Sequence, residues 1–96
     1  MSNDMARKTI HALIKGRVQG VYFRDCTRQE AQRLELCGWV RNLPDGTVEA
    51  LITGESGRVD RMAAWLHRGS PMSLVSEVTI TERTEDETFS EFTILY

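Results

Sequence analysis

Between Ile10 and Leu34 the apolar residues change their spacing once, and the change falls at a glycine-punctuated loop that ends in an arginine. Ile10, Ala12 and Ile14 alternate with polar neighbours, as in a strand that buries one face. Phe23, Thr27, Ala31 and Leu34 then recur at helical spacing, with Gly38 the predicted stop. The run between them is Gly16, Arg17, Val18, Gln19, Gly20, Val21, Tyr22, Phe23, Arg24. A strand feeding a helix through such a loop commits the chain to a β-α unit that the rest must complete.

Downstream, Trp39 to Leu43 and Thr47 to Thr53 read as two strands joined through Pro44, Asp45 and Gly46, residues with hairpin turn chemistry. Val59, Met62, Ala63 and Leu66 form the apolar stripe of a second helix. Val78 and Ile80 begin a fourth strand, Thr84 to Thr88 is an acidic turn, and Phe92, Ile94 and Tyr96 alternate to the end. The expected fold is α+β: a ferredoxin-like split βαβ arrangement, β-α-β-β-α-β with an added C-terminal strand, two helices covering one face of an antiparallel sheet. Residues 8–96 form one domain and residues 1–7 a flexible tail.

With 96 residues, the chain has room for one core and buries somewhat over 60% of its unfolded surface by size scaling. A net charge of −2 runs against a nucleic-acid partner, which selects a basic excess. No apolar run is long enough for a bilayer, and no basic, apolar leader opens the sequence, so an unprocessed, soluble cytoplasmic protein is expected. The charged surface and small size predict a monomer.

Most residues with chemical potential have plainer uses. Cys26 and Cys37, at the two ends of the first helical segment, lie about 16 Å apart if helix runs between them, too far for a disulfide, and read as small packed thiols. Two cysteines do not fill a zinc site, and His11 and His67 show no ligand spacing with them, so no metal and no cofactor are expected. His67 complements the end of the second helix, and His11 alternates with Ile10 and Ala12 as a sheet-surface residue. Trp39 and Trp65 are core or rim, and Glu82, Glu85, Asp86 and Glu87 a solvated hairpin.

The loop is different. Glycines let successive N–H groups turn inward, the first turn of a helix adds unpaired donors, and such amides form a nest for an oxyanion. Arg24 brings a planar fork that matches two phosphate oxygens. The run lacks the Lys-Ser/Thr of a Walker loop and does not match the dinucleotide fingerprint. Its alternative reading is a glycine turn with a solvated arginine. A second segment, Gly38, Trp39, Val40, Arg41, Asn42 leading into Leu43, Pro44, Asp45, Gly46, favours the site.

Together the two segments resemble the signatures of the acylphosphatase family, a Gly-Arg-Val-Gln-Gly-Val-x-Phe-Arg loop and a Gly-Trp-Val-x-Asn strand. The likeness runs from Lys8 to about Ile94 and includes the Gly69, Ser70, Pro71 turn; Tyr22 stands where a small residue is common. The resemblance implies metal-independent hydrolysis of an acyl phosphate to a carboxylate and inorganic phosphate, the latter a competitive inhibitor. It further implies that the amides of Gly16, Arg17, Val18, Gln19, Gly20, Val21 and Tyr22 hold the phosphoryl oxygens with Arg24, and that Asn42 orients the attacking water. Arg17 reads equally well as a solvated side chain.

The fold alone decides nothing, since the same architecture serves RNA binding and regulation. An RNA-recognition surface needs aromatics on the central strands, where this chain has Val48, Ala50 and Ile52. A head module of a hydrogenase-maturation protein needs partner domains. A non-catalytic anion binder has no use for Asn42 beside Arg24.

Overall fold

The computed structural model describes residues 6–84 and 89–96. The chain runs β1 (Arg7–Arg17), α1 (Phe23–Arg33), β2 (Cys37–Asn42), β3 (Val48–Glu55), α2 (Ser56–Arg68), β4 (Leu74–Arg83) and β5 (Phe92–Ile94). The sheet order is β4-β1-β3-β2-β5, with antiparallel pairing among the first four strands. The expected split βαβ arrangement is present.

The alternation read from the sequence sets which face is covered. Ile10, Ala12 and Ile14 of β1, Val40 of β2, and Val48, Ala50 and Ile52 of β3 share one core with Phe23 and Ala31 of α1 and Val59, Met62 and Leu66 of α2. Residues of alternate parity point to the other face, where His11 Nε2 donates to Glu49 Oε2 at 2.7 Å and Arg41 Nε to Glu49 Oε1 at 2.6 Å. Burial pushes the Glu49 carboxyl up, but these two bonds outweigh it and hold it below its ordinary value. His11 is thus hydrogen-bonded within a polar cluster on the sheet face away from the helices. Trp65 packs at the core's edge with its ring 5.8 Å from that of Phe23, and Trp39 lies beneath the Arg41 guanidinium at 5.3 Å.

The structure corrects four readings of the boundaries. First, α1 stops before Gly38: Leu34 caps it and Glu35 takes the left-handed turn at φ 59°. Gly38 lies inside β2, where a Cβ would stand 1.9 Å from the Leu51 carbonyl oxygen, so the glycine answers to strand packing. Second, β4 begins at Leu74, ahead of Val78. Third, the added strand β5 pairs with β2 in parallel, Gly38 opposite Phe92 and Val40 opposite Ile94, making the five-strand sheet mixed. Fourth, Ala6 and Arg7, assigned to the tail by sequence, take part in the fold. The Ala6 carbonyl accepts from Ser56 N–H at 3.0 Å, and Arg7 pairs with Glu55. Residues 1–5 and most of the predicted acidic turn, residues 85–88, lie outside the described residues.

Cys26 sits in α1 and Cys37 at the start of β2, both half-buried free thiols. No helix among the described residues is long and apolar enough to cross a membrane.

Candidate active site

The loop between β1 and α1, the end of β2 and the segment after β5 meet at one end of the sheet around a cleft of about 310 Å³. That volume lies at the lower end of the range for small-molecule sites, about 300–1,000 Å³. Arg24, Asn42 and Tyr96 line it together with Val18, Gly20 and Tyr22 of the loop. The parallel pairing explains how the last residue arrives. With Val40 opposite Ile94 and both strands running the same way, two further residues bring Tyr96 level with Asn42.

Local backbone geometry opens the helix start toward this cleft. Tyr22 occupies the N-cap in the left-handed region at φ 62°, and its side chain makes no capping hydrogen bond. The first turn of α1 therefore lacks the usual capping oxygen, and an external anion is its natural complement. Gly20, at φ 76° with open space where a Cβ would point, is required by backbone conformation alone. Arg24, half-buried in the first helical turn, carries its guanidinium carbon 5.0 Å from the centre of the Tyr96 ring. Stacking engages the face of the guanidinium and leaves its N–H edge available for planar recognition of oxyanions.

Two side chains hold the loop in place. Gln19 Nε2 donates to the carbonyls of Leu43 at 2.8 Å and Thr47 at 3.0 Å, tying the loop to the β2–β3 hairpin. The hairpin is closed by its own Asx contact, Thr47 N–H donating to Asp45 Oδ1 at 2.9 Å. That backbone bond holds the Asp45 carboxyl below its ordinary value. On the other side Ser70 Oγ donates to the Val21 carbonyl at 3.0 Å, which gives the Gly69, Ser70, Pro71 turn a role in the site.

Asn42 ends β2 opposite Val48, and its Oδ1 is buried with no hydrogen-bond partner. An unsatisfied buried acceptor costs about 1–3 kcal/mol, so its retention needs a reason. The residue itself lines the cleft.

Not every residue of the signature reaches the cleft. Arg17 is exposed at the end of β1, opposite Leu74, and Gly16 sits at a register shift of the β1–β4 ladder beside a separate hollow with Asp45 and Thr47. Gln19 acts through its side chain, as a brace. Conversely, the sequence reading did not place Asp25, Ile94 or Tyr96 at the site. Asp25 follows Arg24 and is found by helix geometry; Ile94 and Tyr96 required the pairing of β5, which no local pattern announces. A larger hollow of about 600 Å³ lies between the helices, but its Arg33 is already bound by Glu30. Among the described residues, no group of three or more His, Cys, Asp or Glu side chains is placed to hold a metal ion.

A split βαβ sheet with a cleft at one end, lined by Arg24, Asp25, Asn42 and the β1–α1 loop, defines the molecule as a small α+β domain. The profile of the acylphosphatase family matches residues 10–94. The acylphosphatase of Burkholderia cenocepacia is 49% identical over 89 residues, covering 93% of this chain and 91% of the relative, and that of Rubrobacter xylanophilus is 49% identical over 82 residues, covering 85% and 74%. The solved structure of an acylphosphatase from Coxiella burnetii superposes with a TM-score of 0.90 at 36% identity, covering 99% of this chain and 100% of that one. The chain belongs to the acylphosphatase family, hydrolases whose activity is the cleavage of acyl phosphates.

Proposed function

We propose that this chain hydrolyses acyl phosphates in the cytoplasm, as a monomer and without a metal, by direct attack of water on phosphorus. The loop from Gly16 to Tyr22 is the phosphate-binding loop, with the amides from Val18 onward, beyond the β1–β4 ladder, giving the donors. The Arg24 edge grips the phosphoryl oxygens, and Asn42 Oδ1 accepts one hydrogen bond from water and orients its lone pair. The buried, unpartnered oxygen of Asn42 beside a half-buried arginine is the observation that carries this reading.

In the reaction a bond forms between the water oxygen and phosphorus while the bond from phosphorus to the acyl oxygen breaks, its electron pair leaving on the carboxylate. An amide is a poor base, so the water proton passes to a phosphoryl oxygen of the substrate. Because a carboxylate is a good leaving group, positioning and charge stabilisation suffice, as in other phosphoryl transfers with loose transition states.

Phosphate release from benzoyl phosphate and from p-nitrophenyl phosphate tests the reading. Rapid turnover of the first with little of the second, undiminished by prolonged chelation and competitively inhibited by inorganic phosphate, is the expected result. A large loss under chelator that added metal restores would overturn the mechanism, and absence of turnover with either substrate would leave an anion-binding module.

A further inference from the structure

Two tyrosines, Tyr22 and Tyr96, line the same cleft as Arg24 and Asn42, with the half-buried Ile94 beside them. Resting on the acyl phosphate reading above, we propose that these two rings form the wall that receives the acyl group, and that they make this chain selective for acyl groups carrying an aromatic ring over short aliphatic ones.

Scattered exposed apolar side chains need no explanation, but these two are 75% and 98% exposed and converge on one cleft. Tyr22 holds a left-handed backbone conformation that a bulky residue adopts at a cost, and that asparagine or glycine would adopt more readily. Its ring meets no cap, so the helix start gains nothing from the side chain itself. Tyr96 is fixed from the Arg24 side by the cation–ring stack at 5.0 Å.

The substrate's connectivity does the rest. With the phosphoryl group against Arg24 and the loop amides, the acyl carbon lies only two bonds from phosphorus. Whatever it carries must run out along the cleft wall, and there the wall is aromatic. A ring on the acyl group finds ring partners at both sides; a methyl group reaches neither.

The experiment is kcat/KM for benzoyl phosphate and acetyl phosphate in wild type, Tyr22→Asn, Tyr22→Phe and Tyr96→Ala, read as the benzoyl-to-acetyl ratio so that a general loss of activity cancels. Tyr22→Asn keeps the left-handed backbone and removes the ring; Tyr22→Phe keeps the ring. Wild type is expected to favour benzoyl phosphate. The ratio falls roughly 3- to 10-fold in Tyr22→Asn and in Tyr96→Ala, the scale of one aromatic contact, and stays at the wild-type value in Tyr22→Phe. A ratio within twofold of wild type in either ring-removing variant overturns the proposal, as does a Tyr22→Phe ratio as low as that of Tyr22→Asn. If circular dichroism shows Tyr22→Asn unfolded, Tyr22→Gly replaces it under the same criteria. Absence of turnover by wild type with both substrates would instead overturn the acyl phosphate reading itself.

Discussion

Arg24 and Asn42 reach the same cleft with opposite chemistry, one a fixed cation and the other a neutral oxygen buried without a partner. Their removal is therefore expected to differ in kind. Arg24→Ala loses a charge-assisted contact of about 1.5–3 kcal/mol, so phosphate affinity falls roughly 10- to 200-fold and turnover falls further. Arg24→Lys rescues poorly, because a point charge does not reproduce the fork. Asn42→Ala is expected to leave competitive inhibition by phosphate nearly intact while turnover at saturating benzoyl phosphate drops by about 10² or more. Loss of phosphate affinity in Asn42→Ala equal to that in Arg24→Ala, with turnover unchanged, would make Asn42 a phosphate ligand. Both residues were legible in the sequence because each lies within a short motif. Tyr96 was not, since its place depends on a strand partner far away along the chain.

The elements were legible wherever apolar periodicity ran long enough. The alternation in β1 and the stripes of α1 and α2 set which faces are buried, and these agree with the core. Boundaries were harder to read. Glu35 ends α1 in a conformation that a sequence reader expects of glycine, and the real glycine at position 38 serves the β2–β3 contact. The three residues of β5 carry no signal of whether they pair parallel or antiparallel. Gln19 shows a further limit, because its amide suits an anion loop on paper while its side chain braces that loop to the hairpin. Gln19→Glu, which keeps the shape but has no N–H to give, is expected to destabilise the fold by about 1–3 kcal/mol in urea titrations. Phosphate binding weakens with it, as the loop amides lose their fixed position. A variant with wild-type urea midpoint and phosphate affinity would show that the brace is dispensable.

For the molecule as a whole, three carboxyls among the described residues tie stability to pH: Glu30, held below its ordinary value by its hydrogen bond from Arg33, together with Glu49 and Asp45. Burial raises the Glu49 carboxyl, but its bonds from His11 and Arg41 bring it below its ordinary value, and the Thr47 N–H does the same for Asp45. A group whose folded-state pKa lies below its unfolded one contributes stability that is fully present above the unfolded value. That contribution is lost as pH falls through the folded one. The urea midpoint is therefore expected to be level near neutral pH and to fall once pH drops below about 4, the ordinary carboxylate region. Glu49→Gln is expected to be less stable than wild type at neutral pH and to lose less on acidification. An acid limb as steep in Glu49→Gln as in wild type would remove Glu49 from this account.

The meeting of three distant segments at one cleft makes turnover a clock for folding. Arg24 needs α1, Asn42 needs the β2–β3 hairpin, and Tyr96 needs β5 docked along the outer edge of β2. A chain that has collapsed, or has formed its helices and central hairpin, still presents only part of the wall around the substrate. The proposed substrate preference needs all three segments in place, so during refolding its recovery is expected no earlier than that of the helical signal, and any interval between them times the completion of the sheet.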